Sequence, residues 1–423
     1  VTTAAHPATP STATSARADA VAVTGLGLLT PAGLTVAENW ATLCAGRSVA
    51  ARDPELAGLP VDFSCRVPEF DTVAELGRSR ARRIDRFGCL ALVAARRAVA
   101  DAGLDARTWC GERVGVVLGV GSNSLQTYLG EFRHLAEGGP HRVSPLALPR
   151  SVPNMAAGEV AIDLGAGGPS FTTASACASG ATAIGVARDL LRAGTCDVVL
   201  TGGSESSRSP MAATCFQRMR ALSGRRERPE LASRPFDADR DGFVLGEGAA
   251  VLVLEREADA RARGARTRAL LRGCGASTDA YHPIAPLPDG SGAVRAVRAA
   301  LRDAGCVPED VGHVNAHGTS TRLNDDAEAA ALTRVFGDRP PPVTAPKGVI
   351  GHALGAAGAI EAAYTVLALE HQLVPPTANF GHQDGDHKLD VVAAVPRPVA
   401  MSAALNCSFG FGGHNYAALF TTA

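Results

Sequence analysis

No stretch of this sequence approaches the run of about 20 predominantly apolar residues that crossing a bilayer requires, so no membrane span is expected. Its ten cysteines form no CxxC pair and no Cys/His cluster at zinc-ligand spacing, and no secretion signal precedes them. They read as reduced thiols of a cytoplasmic protein, most of them small core residues. Neither sign of charge dominates, with 41 Lys and Arg against 42 Asp and Glu, which argues against bulk nucleic-acid binding. Two motifs begin and fail. After a strand over Ala20–Thr24, the turn Gly25–Gly27 opens like a dinucleotide fingerprint, but Thr30 stands where the third glycine belongs. Asp237, Asp239, Asp241 and Gly242 open like a calcium loop, yet its twelfth position is Gly248 instead of a bidentate Glu, and no helix precedes it. No metal site is expected.

What is present is an ordinary globular composition, 46 % hydrophobic and 20 % charged over 423 residues, ample for a large core. Residues 1–19, rich in Ala, Thr, Ser and Pro, read as a disordered tail. The chain is organised around Phe171–Gly194, FTTASACASGATAIGVARDLLRAG. A short strand end at Phe171–Thr173 runs into Cys177 among small residues, and Ile184, Val186, Ala187, Leu190 and Leu191 then recur at helical spacing until Gly194. A cysteine at such a strand-to-helix turn is expected to be exposed, with the helix N-terminus favouring its thiolate. Elsewhere, Val36–Cys44 reads as a short helix, and the basic run Arg78–Arg86 feeds a long helix reaching Ala102.

An internal echo follows. The segment ending at Gly119 and the segment ending at Gly318 both read as an amphipathic helix, an Asp-Ala-Gly stop, a short loop and an apolar strand. CASGATAIG also aligns with ALGAAGAIE, which sets Ala353 opposite Cys177, and the first copy carries about 26 extra residues within Ser122–Gly168. This implies a duplicated α/β unit with mostly parallel sheets, divided near Gly264 into halves 20–264 and 265–423, whose two alanine- and glycine-rich helices meet at the centre.

Polar residues among glycines mark three further stretches: NAHGTSTRLNDDAE, APKGVIGHALGAAG and NCSFGFGGHN. With ACASG, in this order and spacing, they resemble the β-ketoacyl-ACP synthases of the thiolase superfamily, in the synthase II and type II polyketide ketosynthase branch. The resemblance implies a five-layered α-β-α-β-α thiolase-like fold from two duplicated halves. It also implies decarboxylative Claisen condensation of an acyl group with malonyl-ACP, in fatty acid or polyketide elongation. Cys177 would be the nucleophile, and His317 and His352 would stabilise the enolate. Lys347 would support the pair, with Glu328 balancing Lys347 and Asp325 beside it. The N–H groups of Cys177 and Phe411 would form the oxyanion hole. Thr319 and Thr321 would hold the pantetheine arm, and Phe243, Phe409 and Phe411 would line the acyl and substrate side. Arg82, Arg83 and Arg220 would dock the carrier at one tunnel mouth. No cofactor is implied beyond the carrier's phosphopantetheine. The implied partners are acyl carrier protein and a second copy, or a chain-length factor in a heterodimer.

Two positions depart from the family pattern: Gly348 follows the lysine where Ser is usual, and Arg322 replaces a frequent proline. Two alternatives stay open, a non-catalytic chain-length-determining partner and a biosynthetic thiolase. Cys177 argues against the first, whose members often carry Gln there. The His pair argues against the second, whose pattern uses another reactive cysteine.

Overall fold

The computed structural model describes residues 20–122, 124–385 and 388–423; the expected N-terminal tail, 1–19, lies outside the described residues. Ten strands form the main sheet: β1 Val21–Leu29, β2 Val114–Gly119, β3 Ser170–Thr173, β4 Val198–Glu205, β5 Gly248–Arg256, β6 Ala269–Thr278, β7 Val311–Asn315, β8 Val343–Thr344, β9 Ala403–Gly410 and β10 His414–Thr421. Their spatial order is β8-β7-β9-β10-β6-β1-β5-β4-β2-β3. Each strand of the first five thus has a counterpart five places later, in mirrored order. The halves join where β1 and β6 pair antiparallel, Val21 opposite Leu271 and Val23 opposite Ala269.

The sheets are mixed, not mostly parallel as expected. Within each half three strands run parallel (β3, β2, β4 and β8, β7, β9), and the other two pair antiparallel. The glycine turn expected after Thr24 is absent as well, because β1 continues to Leu29 with every residue buried. Gly25 and Gly27 serve a close approach instead. A Cβ there would lie 2.2 Å from the Ala98 carbonyl oxygen and 1.9 Å from that of Ala94, on helix α1, Arg86–Asp101. The basic run is separate from α1: Arg78–Arg83 is its own short helix, broken at the extended Ile84. The extra segment of the first half holds helices at Leu125–Gly138, Ala147–Ser151 and α2, Met155–Leu164.

Between the two halves of the sheet lie α3, Ser179–Arg192, and α6, Ala357–His371; α4, Ser291–Ala304, and α5, Arg322–Phe336, cover the second half from outside, as α1 and α2 cover the first. This gives five layers. Thirteen consecutive residues of α6, Ala357–Leu369, are buried, as its nearly uniform apolarity demands. The central pair touches through glycine. A Cβ on Gly180 would meet the Ala359 nitrogen at 2.8 Å, and one on Gly358 would meet the Ala181 nitrogen at 2.9 Å. That reciprocity corrects the expected alignment by two residues. Both helices are entered through a 3₁₀ turn, Ala176–Ala178 and Leu354–Ala356, so Gly355 is the counterpart of Cys177, not Ala353.

Candidate active site

Cys177 sits at the middle of its turn, between β3 and α3. Ala176 takes the left-handed φ of 51°, and Ser179 locks the turn: its Oγ accepts from the Ser175 N–H and donates to the Ala176 carbonyl. The sulfur is not exposed as expected. Cys177 is only 8 % accessible, and burial pushes its thiol up to about 12, with Lys347 pulling the other way. Desolvation outweighs the helix terminus, so the resting form is the thiol. The Phe411 N–H donates to Sγ, and His352 Nε2 lies 3.1 Å from it.

The second half supplies the rest. His317 follows β7, and its ring stands 5.4 Å from that of His352, nearly perpendicular. Burial first and Lys347 second hold both imidazoles well below their ordinary range, so both are neutral. Lys347 Nζ lies 3.3 Å from His317 Nδ1 and donates to the His317 carbonyl at 2.6 Å. An ammonium has only hydrogens to offer, so His317 Nδ1 accepts and the ring proton is on Nε2.

The structure differs from expectation on the carboxylates. Lys347 pairs with Glu361 on α6, both 1 % accessible. Glu328 feels Lys347 through charge without pairing with it; it holds the peptide N–H groups of His317 and Gly318, each at 2.7 Å, and burial pushes it up to about 8 against those bonds and Lys347. Glu361 was missed. The signal was there, a lone acid inside the apolar run AGAIEAAYTVLAL, where a buried carboxylate needs a partner. Asp325 accepts from the N–H groups of Thr319, Ser320 and Phe236, which fixes the loop after β7.

A cavity of about 420 Å³ opens onto these groups. Cys177, His317 and His352 line it, as do Thr319 and Thr321, whose hydroxyls are 2.9 Å apart. Phe243, Phe409 and Phe411 complete one wall together with Phe216, which the sequence reading passed over; its ring meets Phe243 edge-on at 5.3 Å. Arg220 also lines this cavity, but Arg82 and Arg83 do not. Arg83 pairs with Glu159 and borders a separate cavity beside α2. Among the described residues, no group of three or more His, Cys, Asp or Glu side chains is placed to hold a metal ion, and no helix is long and apolar enough to cross a membrane.

The family model of the β-ketoacyl synthase N-terminal domain matches residues 18–260, and that of the C-terminal domain matches residues 268–381. This chain belongs to the β-ketoacyl synthase family. The synthase is 42 % identical to the 3-oxoacyl-[acyl-carrier-protein] synthase 2 of Synechocystis sp., over 95 % of this chain and 97 % of the relative. It is 40 % identical to the protein of the same description from Vibrio cholerae, over 95 % and 98 %. Among solved structures, the ishigamide ketosynthase/chain length factor superimposes with a TM-score of 0.90 at 35 % identity, covering 96 % of the synthase and 99 % of that chain. A type II polyketide ketosynthase solved with its acyl carrier protein and bound to the hexaketide superimposes with a TM-score of 0.87 at 30 % identity, covering 96 % and 99 %.

Proposed function

We propose that this synthase condenses a Cys177-bound acyl group with a malonyl thioester carried on acyl carrier protein. The observation that carries the reading is the convergence on one cavity of a buried thiol from the first half and two neutral imidazoles from the second. In the first step the Cys177 sulfur attacks the carrier thioester. Its proton passes to the departing carrier thiol, and the N–H groups of Cys177 and Phe411 stabilise the tetrahedral oxyanion. In the second step the malonyl C–COO⁻ bond breaks, carbon dioxide leaves, and the electron pair forms an enolate. N–H donors on His317 and His352 suit that oxygen, whereas carboxylates would repel it. The enolate carbon then attacks the acyl carbon, and the tetrahedral intermediate expels Cys177 sulfur, leaving a β-ketoacyl carrier thioester. Lys347 keeps the His317 proton on Nε2, and Glu361 neutralises Lys347. Thr319 and Thr321 suit the polar pantetheine arm, and the phenylalanine wall suits the acyl chain.

Acyl carrier protein is the proposed donor and acceptor, with Arg220 its contact at the mouth and Arg82 and Arg83 a second, separate contact. The proposed assembly is a dimer through the free edge of β3. On that strand Phe171 is 38 % accessible, and Ile162 on α2, which packs against it, is 66 % accessible, apolar side chains that ask for a partner. The synthase II relatives and the polyketide neighbours support the reaction equally and leave fatty acid and polyketide elongation as alternative settings.

The test is mass spectrometry of the purified protein with acyl carrier substrates of several lengths. An acyl adduct on Cys177, followed by a β-keto product with malonyl carrier, is expected. Acylation without condensation by the protein alone would favour a chain-length partner or an obligate heterodimer. No adduct with any carrier would sink the reading.

A further inference from the structure

The Gly355 turn has the backbone of the Cys177 turn but faces a different object. Opposite Cys177, the loop after β9 offers the Phe411 N–H. Opposite Gly355, the strand β4 ends in Glu205, which is 2 % accessible and lies outside the cavity lining. Its Oε2 accepts from the Gly121 N–H at 2.9 Å and its Oε1 from the Ser207 hydroxyl at 2.7 Å, and the N–H groups of Ser206 and Gly355 also donate to it. The donors converge as they would on a bound anion, and the protein's own carboxylate occupies the place. The approach is close: a Cβ on Gly355 would sit 2.1 Å from the Gly121 nitrogen.

We propose that Glu205 is a positioning residue, an internal anion that fills the second half's counterpart of the oxyanion hole and pins the turn carrying His352 and Leu354. Leu354 takes the left-handed φ of 44° and lines the cavity, and His352 precedes Gly355 by one turn with its Nε2 on the Cys177 sulfur. Without Glu205, the N–H groups of Gly121, Ser206 and the buried Gly355 would lose their acceptor, and the turn would relax toward another one. His352 is in contact with the Cys177 sulfur, and Glu205, outside the cavity lining, acts on it only through the turn, without touching substrate. The catalytic consequence rests on the condensing reading; the clamp itself does not.

Glu205→Ala opens a hole the size of a small carboxylate, so formate is the probe, with chloride at equal concentration as control. The variant is expected to decarboxylate malonyl carrier about tenfold more slowly than wild type through kcat, with KM nearly unchanged. Formate, but not chloride, should restore the rate and raise the melting temperature saturably. A Glu205→Ala protein of wild-type rate, or one whose melting temperature ignores formate, overturns the clamp. If that variant does not fold, Glu205→Gln carries the test, because its amide nitrogen sets a donor against donors. A several-fold lower kcat and a lower melting temperature are expected, and wild-type values overturn the proposal. A wild-type protein without decarboxylase activity would count against the condensing reading alone, since the formate-dependent melting temperature still reads the clamp.

Discussion

The turns Ala176–Ala178 and Leu354–Ala356 enter their helices with the same backbone, Ala176 at φ 51° and Leu354 at φ 44°, and each helix presents a glycine to its twin. They differ in what stands opposite. The first turn faces a cavity and carries a sulfur, while the second faces Glu205 and carries no reactive side chain. On the proposed reading both turns bind an anion, and only the one left open can receive a substrate oxygen. The groups are divided across the pseudo-symmetry: the first half supplies the thiol, and the second supplies the imidazoles and the lysine beside them. The site exists only because α3 and α6 touch.

The comparison breaks most visibly at Cys177. Cys177→Ala should abolish condensation while malonyl decarboxylation persists, because the imidazoles belong to the other half. Product analysis checks the first, carbon dioxide release the second, and a variant that condenses normally would refute the division. Next in size is Glu361→Ala, which leaves the Lys347 ammonium buried without its carboxylate. A loss of about 3–5 kcal/mol is expected in denaturant unfolding. The same substitution at Glu328, which holds peptide N–H groups instead, should cost less, and equal losses would return Glu328 to the role of lysine partner.

His317→Ala and His352→Ala should each slow decarboxylation about 10²–10³-fold, as loss of one oxyanion donor does, equivalent to about 2.7–4 kcal/mol. Single-turnover measurement should find acylation of Cys177 less affected in His317→Ala than in His352→Ala, since only His352 touches the sulfur. Gly180→Ala and Gly358→Ala test the symmetry of the helix contact. Each drives a methyl against facing backbone, so about 1–3 kcal/mol is expected for both, and a large inequality in their melting temperatures would show the two approaches to be unlike.

The smallest expected effect is no effect. Both imidazoles are held well below 6.5, so their ring NMR shifts should stay level as pH falls from about 7.5 to about 5.5. A ring titration with a midpoint near 6.5 would mean that at least one ring is solvated. For stability the same depression has a definite sign. The unfolded chain binds these protons first, so the histidine contribution is intact above about 6.5 and is lost as pH falls below it. Buried Glu205, Glu328 and Glu361, pushed up to about 7, 8 and 7, act in the opposite direction, losing stability as pH rises from about 4.5 through those values.

Much of this protein was determined by sequence that acts locally. Small residues around Cys177, the helical spacing after it and the glycine-bounded loops at His317, His352 and Phe411 announce themselves within a few residues, because turn and helix formation respond to near neighbours. The repeat of helix, stop and strand made the duplication visible for the same reason. Only the tertiary structure decided what depends on one half meeting the other. Lys347 chose Glu361 over Glu328 because α6 carries Glu361 to it, and Gly25 and Gly27 became strand because α1 lies against them. The Cys177 thiol lost its expected ionisation to desolvation, a property of everything packed around it and of no motif. Glu205 reads in sequence as one acid among 42 Asp and Glu residues. Its place opposite Gly355 is 150 residues away along the chain, and only the meeting of the two halves brings it there.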